Sequence, residues 1–314
     1  MRDLRIVFMG TPDFAVAPLD ALLKANFNIV GVITAPDKPA GRGRKINQSA
    51  VKKYALEHHL KILQPTNLKN EEFISELKSL NANLQIVVAF RMLPKVVWQL
   101  PEYGTFNLHA SLLPNYRGAA PINWAIINGD IKTGVSTFFI DEKIDTGNII
   151  LQEEVEIGNH EILGELHDKL MNIGSSLVVK TVKQIEKGNV TTIKQPEIEE
   201  KSAPKIFTET CRIDWNDSIK NIYNLIRGLN PFPAAWTTLI NNNEEIKVKI
   251  FDVKPEFENH TLNIGTIVTT KNEIKIAVTN GFIKIESLQL SGKRKMDCKS
   301  LLNGYVFHSN SIMQ

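Results

Sequence analysis

Cysteine is scarce in this sequence: only Cys211 and Cys298 occur among 314 residues, and neither belongs to a CxxC pair or a Cys/His cluster. Such isolated cysteines do not suggest a disulfide framework or a zinc site, and no bound metal is expected. Long apolar runs are also missing, and none approaches the roughly 18 residues that a membrane helix needs. The N-terminal residues lack the cationic, apolar and small-residue order of a signal peptide. A cytoplasmic protein without a membrane partner is therefore the default expectation.

Two nucleotide-binding signatures are absent as well. The chain contains neither GxGxxG, which marks dinucleotide-binding folds, nor GxxxxGK[ST], which marks a nucleoside triphosphate site. The glycine that follows the first apolar run, Gly10, therefore has two open interpretations. It is either a plain turn between a strand and a helix or a point where a substrate approaches the backbone.

Most of the chain carries no excess charge of either sign. The formal net charge is +3, and residues 1–204 contain 23 basic and 23 acidic side chains. The remaining residues contain 14 basic and 11 acidic side chains, so the whole excess lies in the last third. As an average, this mild basicity is far from that of a histone-like protein.

Strand-like and helical segments alternate over about the first 190 residues. Apolar runs predict strands at 4–9, 28–34, 84–90, 104–109, 133–140 and 148–157. Pro94 and Pro121 are each predicted to open a helix, and 161–187 is predicted to be a long helix that Gly174 interrupts. This order is typical of an α/β domain with a mostly parallel sheet, in which ligands bind beyond the carboxyl ends of the strands.

The sequence pattern changes in the last third of the chain. A polar segment with two prolines, 191–205, predicts a linker, and a helix is expected at 218–229. Short apolar runs then alternate with Asn, Gly and charged turns, at 246–253, 265–269, 274–278 and 282–290. This spacing predicts a small antiparallel β-rich barrel or sandwich.

Asn107 and His109 are the strongest local candidates for chemistry. Residues two apart in a strand point to the same face, so both side chains should stand together at the end of a predicted parallel strand. A histidine at such a place is either a structural residue with its hydrogen bonds satisfied or a catalyst. Asp145, in a turn between two predicted strands, is either a carboxylate that binds its own turn or the third member of this group.

These three side chains together suit one kind of reaction. A carboxylate orients an imidazole or takes up a proton, an imidazole donates to a developing oxyanion, and a carboxamide holds a carbonyl oxygen. Because no activated Ser or Cys is evident in the sequence, the nucleophile should belong to the substrate, such as an amine.

Two clusters of basic residues stand out. Residues 38–53 contain no acid and six cations: Lys38, Arg42, Arg44, Lys45, Lys52 and Lys53. The second cluster is Lys293, Arg294 and Lys295. Solvated surface charge is one interpretation, but uncompensated charge within an otherwise neutral domain favours a polyanion partner. Phosphate contacts from both clusters would position a nucleic acid without reading its sequence.

Six segments of the chain resemble the methionyl-tRNA formyltransferase family, and the similarity runs nearly end to end. They are GTPDFA at 10–15, APDKPAGRGRK at 35–45, NLHASLLPNYRGAAPINWAI at 107–126, IDTG at 144–147, RIDW at 212–215 and NPFPAAW at 230–236. The central segment is shared with all formyltransferases that use 10-formyltetrahydrofolate. The GRGRK loop and the C-terminal segments are the parts that point to tRNA.

The resemblance implies a Rossmann-like catalytic domain at 1–189, a linker at 190–206 and an OB-like, tRNA-binding barrel at 207–314. It implies that Asn107, His109 and Asp145 are catalytic. The implied folate-contacting turn consists of Ser111, Leu112, Leu113 and Pro114. Arg42 would engage the tRNA acceptor end, and the other predicted tRNA contacts are Lys38, Arg44, Lys45, Lys293, Arg294 and Lys295.

The implied reaction moves the formyl group of 10-formyltetrahydrofolate to the α-amino group of methionine on initiator methionyl-tRNA, in a protein expected to be a monomer. Two departures from the family pattern flank the expected folate pocket: Arg91 lies where a Tyr-Gly pair is common, and Lys143 replaces a glycine. The alternatives are a folate-dependent formyltransferase for glycinamide ribonucleotide or an amino sugar, and a nucleic-acid-binding protein on a degenerate enzyme scaffold. Retention of the Asn, His and Asp argues against the last.

Overall fold

A computed structural model of the chain describes residues 1–40, 45–198 and 200–314. Arg42 and Arg44 of the predicted basic loop lie outside the described residues. The chain forms two compact units, of which the first contains Met1–Gly118, Thr133–Val155 and His167–Ser202. The second contains Ala119–Lys132, Glu156–Leu166 and Ala203–Gln314. Two segments of the second unit thus precede residue 189, and the domain limits given above stay a prediction.

The strands are β1 (Arg5–Gly10), β2 (Asn28–Ile33), β3 (Lys38–Ala40), β4 (Lys45–Asn47), β5 (Ile62–Leu63), β6 (Leu84–Val88), β7 (Thr105–His109), β8 (Arg117–Gly118), β9 (Lys132–Phe139), β10 (Ile149–Glu156), β11 (Ser202–Ala203), β12 (Ala235–Asn241), β13 (Glu244–Phe257), β14 (Ile267–Thr269), β15 (Ile274–Val278), β16 (Gly281–Leu290), β17 (Met296–Asp297) and β18 (Ile312–Met313). The helices are α1 (Asp13–Lys24), α2 (Ala50–Glu57), α3 (Glu71–Ser79), α4 (Lys95–Trp98), α5 (Pro121–Ile127), α6 (Leu163–Lys187), α7 (Ile219–Leu229) and α8 (Cys298–Leu302), with a 3₁₀ turn at Glu209–Cys211. No helix within the described ranges is both long enough and apolar enough to cross a bilayer.

The sheet of the first unit has the strand order β10-β9-β7-β6-β1-β2-β5. β1 pairs in parallel with β2 and β6, and β6 pairs in parallel with β7, whereas β9 runs antiparallel to β7. The mostly parallel sheet expected from the alternation of elements is therefore confirmed. Because the chain passes from β1 to β2 and β5 and then returns to β6 on the other side of β1, the strand order reverses between β1 and β6. Ligands of such sheets bind at this switch point, beyond the carboxyl ends of the strands.

The long helix of the first unit departs from the prediction. The expected interruption at Gly174 is wrong, because α6 runs continuously through it. A Cβ atom at Gly174 would lie 2.9 Å from Cδ2 of Leu108, so the absent side chain lets the helix pack closely against β7. Gly174 therefore supports the strand that carries Asn107 and His109.

An antiparallel sheet organises the second unit, in the order β14-β15-β16-β13-β12-β18 with β17 on β16. A bridge between Thr266 and Ile312 joins the two ends of this order, so the sheet forms a nearly closed barrel, as expected. α7 begins after Ser218, whose side chain accepts a hydrogen bond from the backbone of Asn221. Its apolar face packs on the barrel core. β12 was not predicted, because the proline-rich segment just before it made the alternation of apolar and polar side chains in β12 hard to recognise.

Candidate active site

Strand β7 brings two polar side chains to the switch-point end of the first unit's sheet. Asn107 and His109 lie two residues apart on it, as predicted, and His109 is only 6 % exposed. The Nε2 atom of His109 lies 2.8 Å from the backbone oxygen of Tyr116. Because a carbonyl oxygen only accepts hydrogen bonds, Nε2 carries a hydrogen and donates it. The second ring nitrogen, Nδ1, is thereby the one available for chemistry.

Asp145 lies next to this second nitrogen. Its Oδ2 is 3.8 Å from Nδ1 of His109, which is too long for a direct hydrogen bond and forms an ion pair only when the imidazole is protonated. The same oxygen accepts a hydrogen bond of 2.9 Å from the backbone N–H of Gly118, which is 27 residues away in sequence. Both side chains are largely shielded from water, which strengthens any interaction between their charges. The structure thus brings His109 and Asp145 together and ties Asp145 to a partner outside its own turn.

The turn that carries Asp145 is tightly constrained. Asp145 has a φ of +55°, in the left-handed region that few non-glycine residues adopt. Asp141 accepts a hydrogen bond of 2.7 Å from the Thr146 hydroxyl and so supports the turn from one side. On the other side, a Cβ atom at Gly147 would lie 1.6 Å from the backbone oxygen of Phe139. The backbone here has room for glycine alone.

Gln195 holds this turn from a distant part of the chain. Its Nε2 donates to the backbone oxygens of Asp145 and Gly147 at 3.0 and 2.7 Å. Its Oε1 accepts from Nε and Nη2 of Arg117 at 3.2 and 2.9 Å. Gln195 is 5 % exposed, although it lies in the segment predicted to be a linker. Its partners are 48 or more residues away, so no local pattern in the sequence could have indicated this role.

Replacing Gln195 with alanine should lower kcat for the reaction at this site about tenfold, because the backbone that orients the Asp145 carboxylate loses both of its hydrogen-bond donors. The variant Gln195→Glu keeps an acceptor for Arg117 but lacks the two donors, and we expect it to lose a similar factor. Steady-state kinetics well below the melting temperature measure the effect.

The matched control is Gln64→Ala. Gln64 also donates two hydrogen bonds within the first unit, to the Ala35 backbone oxygen at 2.8 Å and to Asp37 at 2.9 Å. If Gln195 were only structural, Gln195→Ala and Gln64→Ala would lose similar amounts of stability and both would keep the wild-type kcat. That result would contradict a positioning role for Gln195.

Asn107 carries a second mark of a binding site. Its Oδ1 is buried and has no hydrogen-bond partner among the residues that the structure describes, a property shared with Thr133 Oγ1 at the start of β9. Leaving a buried polar atom unpaired costs about 1–3 kcal/mol, so such atoms are rare without a ligand or a water. Because Asn107 lies two residues before His109, at the carboxyl end of β7, its free amide end suits a bound polar group.

The turn predicted to contact folate is held largely from within the first unit. The Ser111 hydroxyl donates to the Asn115 backbone oxygen at 2.7 Å. The Leu113 N–H donates to the Ser136 hydroxyl at 3.1 Å, and the Leu113 oxygen accepts from Gln152 at 3.0 Å. Ser111 and Leu113 are buried, whereas Leu112 and Pro114 are half-buried. These contacts fix the turn, and its role in binding folate stays a prediction.

Of the two positions that depart from the family pattern, Arg91 binds a neighbouring loop and Lys143 binds within its own turn. Arg91 donates to the backbone oxygen of Thr66 at 2.8 Å and also to that of Pro65. Lys143 is exposed, and its backbone N–H donates to Asp141 at 3.0 Å. The hydrogen bonds described above for His109 and Asp145 involve neither Arg91 nor Lys143.

Some of the predicted basic side chains form ion pairs with carboxylates, whereas others are exposed. Lys52 forms an ion pair with Asp37 at 2.6 Å, so the charge of the basic segment is partly compensated by a residue that precedes it. Lys38 is exposed, and Lys45 is described only as the first residue of β4. Lys293 and Arg294 are exposed, whereas Lys295 pairs with Asp252 at 3.0 Å. A tRNA contact for any of them stays a prediction.

The fold is that of a formyl transferase, the class that the family models also identify. Two family models match the chain, one described as formyl transferase over residues 4–182 and one as formyl transferase, C-terminal domain, over residues 205–306. Among curated relatives, the methionyl-tRNA formyltransferase of Flavobacterium johnsoniae is 61 % identical over 308 residues, which cover 98 % of each chain. That of Bacteroides fragilis is 56 % identical over 310 residues, 97 % of this chain and 96 % of its own. The chain belongs to the methionyl-tRNA formyltransferase family.

Solved structures share the fold at lower identity. A sugar 3N-formyl transferase, WlaRD, crystallised with dTDP and 5-N-formyl-THF, aligns with a TM-score of 0.65 at 24 % identity, over 94 % of this chain and all of its own. HypX from Aquifex aeolicus, in complex with tetrahydrofolic acid, aligns with a TM-score of 0.65 at 16 % identity, over 96 % of this chain and 47 % of its own. Both support the two-part fold described above.

Proposed function

We propose that the chain transfers the formyl group of 10-formyltetrahydrofolate to the α-amino group of methionine on initiator methionyl-tRNA. The observation that carries this proposal is the group at the carboxyl end of β7: an unpartnered buried amide oxygen on Asn107, and His109 Nδ1 at 3.8 Å from Asp145. Relatives named methionyl-tRNA formyltransferase at 51–61 % identity support the choice of substrates.

The nucleophile in this proposal is the amine of the substrate. The Ser111 hydroxyl already donates its hydrogen to the Asn115 backbone oxygen at 2.7 Å. Burial raises the pKa of the Cys211 thiol and raises that of Cys298 to about 12, so neither is a thiolate near neutral pH. An α-amino group has a pKa of about 8, which leaves a reactive neutral fraction at pH 7. Positioning and charge stabilisation are therefore the main tasks of the protein.

His109, Asn107 and Asp145 each have a place in the transfer. When the amine attacks the formyl carbon, negative charge develops on the formyl oxygen, and His109 donates to that oxygen from Nδ1. Because Nε2 already donates its hydrogen to Tyr116, Nδ1 donates only when both ring nitrogens carry a hydrogen. The Asn107 Nδ2–H donates to the same oxygen, and Asp145 takes up the amine proton directly or through a water. The carbonyl then re-forms as the bond between the formyl carbon and N10 of the folate breaks. N10 leaves with the proton that Asp145 took up, so the products are formyl-methionyl-tRNA and tetrahydrofolate.

A folate fits as the formyl donor. The free amide end of Asn107 offers a polar contact at the crevice where ligands of this fold bind. The folates bound by the sugar formyl transferase and by HypX favour the same class of donor here. We assign Ser111, Leu112, Leu113 and Pro114 to the walls of this pocket on the family resemblance.

The tRNA is proposed to contact the predicted basic residues, foremost Arg42. Arg42→Ala should raise KM for methionyl-tRNA about tenfold and change kcat little, because a phosphate contact of the tRNA is lost while Asn107, His109 and Asp145 are unchanged. Lys24→Ala is the matched control, since Lys24 is exposed but already paired with Asp20 at 2.7 Å. Equal KM values for the two variants would contradict a tRNA contact by Arg42.

A panel of amine acceptors tests the function itself. Methionyl initiator tRNA, glycinamide ribonucleotide and a nucleotide-linked amino sugar are each offered with 10-formyltetrahydrofolate, and formylated product is quantified. We expect formylated product with the methionyl initiator tRNA and with neither of the two small amines. Product with one of the small amines and none with the tRNA would overturn the proposal. The cytoplasmic location, the monomeric state and a catalytic domain at 1–189 followed by a tRNA-binding domain at 207–314 are part of the same proposal.

A further inference from the structure

Three consecutive residues hold both members of the His109–Asp145 pair. The Tyr116 backbone oxygen accepts the hydrogen of His109 Nε2 at 2.8 Å, and the Gly118 backbone N–H donates to Asp145 Oδ2 at 2.9 Å. We call residues 116–118 the holding segment. Because one short piece of backbone contacts both side chains, a shift of this piece changes the orientation of the imidazole and of the carboxylate at once.

The backbone of the holding segment lies in a conformation that a chain rarely adopts. Tyr116 has a φ of +63°, in the left-handed region that is unusual for a bulky side chain, and Gly118 has a φ of +124°. Tyr116 and Arg117 are both buried. Such a conformation persists only where the surrounding structure holds it. The holding segment therefore needs support from outside itself.

A distant stretch of the first unit, residues 195–202 as far as the structure describes them, provides this support. The Tyr116 N–H donates to the Lys201 backbone oxygen at 2.6 Å. The Glu200 N–H donates to Asn115 Oδ1 at 3.2 Å, one residue before the holding segment. The part of the chain that was predicted to be a linker thus packs against the holding segment, and we call it the support stretch.

Arg117 is the side chain that joins the holding segment to the support stretch. Its guanidinium donates from Nε and Nη2 to Gln195 Oε1, as described above, and from Nη2 to the Pro196 backbone oxygen at 2.9 Å. A third oxygen, that of the Glu197 backbone, lies 3.5 Å from Nη1. The planar fork of a guanidinium reaches several acceptors at once, which a lysine ammonium does not. Because only 8 % of Arg117 is exposed, this cation does not belong to the surface that a nucleic acid would contact.

We infer, on the proposed function, that Arg117 is a positioning residue for formyl transfer. Through the support stretch it keeps the holding segment in the conformation that binds both His109 and Asp145. Its role differs from that of Gln195, whose two donors contact only the turn of Asp145. Replacement of Arg117 should therefore loosen the imidazole as well as the carboxylate.

The kinetic test compares variants of Arg117 with variants of a matched arginine in the second unit, Arg227. Arg227 is also buried, at 6 % exposed, and it also donates to a side-chain amide and to the backbone. Its Nε lies 2.9 Å from Asn224 Oδ1, and its Nη1 lies 3.0 Å from the Glu161 backbone oxygen. At each arginine, lysine keeps the charge and methionine keeps much of the volume, and neither replaces the guanidinium fork.

Arg117→Lys and Arg117→Met should each lower the rate of single-turnover formylation of methionyl-tRNA about tenfold or more. Their steady-state KM for methionyl-tRNA should stay within about twofold of wild type, because the orientation of the catalytic groups acts on the chemical step. Arg227→Lys and Arg227→Met should lose stability but keep the rate within about twofold, since the buried hydrogen bonds that they remove hold no catalytic side chain. Thermal melting of every variant shows that the assays are run on folded protein.

Hydrogen exchange at the His109 ring gives a readout that a purely structural role of Arg117 would not change. The Nε2 hydrogen of His109 is buried and hydrogen-bonded to Tyr116, so it should exchange slowly with water and give a resolved imidazole N–H signal in ¹H–¹⁵N spectra. The signal is assigned by its absence from His109→Ala. Folded Arg117→Lys should lose this signal through faster exchange, whereas folded Arg227→Lys should keep it.

Arg117→Lys, which keeps the charge, carries the test if Arg117→Met does not fold. A wild-type rate in Arg117→Lys, or a slow rate with an unchanged His109 signal, would overturn the inference. Equal losses of rate in the Arg117 and Arg227 variants would overturn it too, because they would indicate a general effect of losing a buried arginine. Failure of the proposed function is distinguishable from these outcomes. Wild-type protein would then not formylate methionyl-tRNA, and the His109 signal, which needs no substrate, would still report on Arg117.

Discussion

Replacing His109 with alanine should lower kcat for formyl transfer about 10²- to 10³-fold, because the oxyanion loses a donor that the fold holds in place. Asp145→Asn should cost about 10²- to 10⁴-fold, since a carboxamide cannot take up the amine proton. Both variants should keep the fold, because His109 donates a single backbone-directed hydrogen bond and the carboxamide of Asp145→Asn would retain an oxygen for Gly118. Single-turnover rates of formyl-methionyl-tRNA formation measure the effect.

The chain offers a second His-Asp pair as a control. His167 Nδ1 lies 3.0 Å from Asp168 Oδ1 in α6, where His167 is half-buried and Asp168 is exposed. Because this pair is closer than that of His109 and Asp145 but more exposed to water, His167→Ala and Asp168→Asn should leave the rate within about twofold. Wild-type turnover in His109→Ala would remove the basis for the catalytic assignment.

Replacing Gly147 with alanine should lower the free energy of unfolding by about 3 kcal/mol or more, which is in the range of severe backbone strain and overpacking. The added Cβ atom would lie 1.6 Å from the Phe139 oxygen and 2.8 Å from its carbonyl carbon, and both are backbone atoms that cannot rotate away. The turn must therefore shift, and with it Asp145 and the oxygen that accepts from Gln195. We expect formyl transfer to fall at least about 10²-fold even where the variant remains folded.

Urea denaturation followed by circular dichroism measures the stability part of this prediction. The control is Gly304→Ala, since a Cβ atom there would meet no atom within 4 Å. Its midpoint should stay close to that of wild type. A Gly147→Ala protein with the stability and rate of the Gly304→Ala protein would show that the turn does not position Asp145.

The sequence sufficed for the parts of this site that depend on local pattern. The alternation of strands and helices predicts the parallel sheet, and the spacing of Asn107 and His109 predicts their common face at a strand end. The position of Asp145 in a tight turn indicated a carboxylate that could join them, and the structure confirms its approach to His109.

The remainder of the site depends on contacts between distant parts of the chain. Gln195 lies in a polar, proline-containing segment that looks like a linker, and its role arises only from hydrogen bonds to residues 48 and 50 positions earlier. The same holds for the barrel, because cross-strand register decides which side chains lie opposite each other, such as Lys284 opposite both Lys254 and Lys275. The amino-acid composition shows that this part of the chain has an excess of positive charge, but not which of the charged side chains are exposed.

A double-mutant cycle on formylation of methionyl initiator tRNA tests the central claim most directly. The claim is that His109 and Asp145 act as one unit on the amine of this substrate. The rates of wild type, His109→Ala, Asp145→Asn and the double variant are compared under single-turnover conditions. We predict that the double variant is about as slow as the slower single variant, because residues that act as a unit are strongly non-additive. A double variant whose loss equals the product of the two single losses would contradict the account.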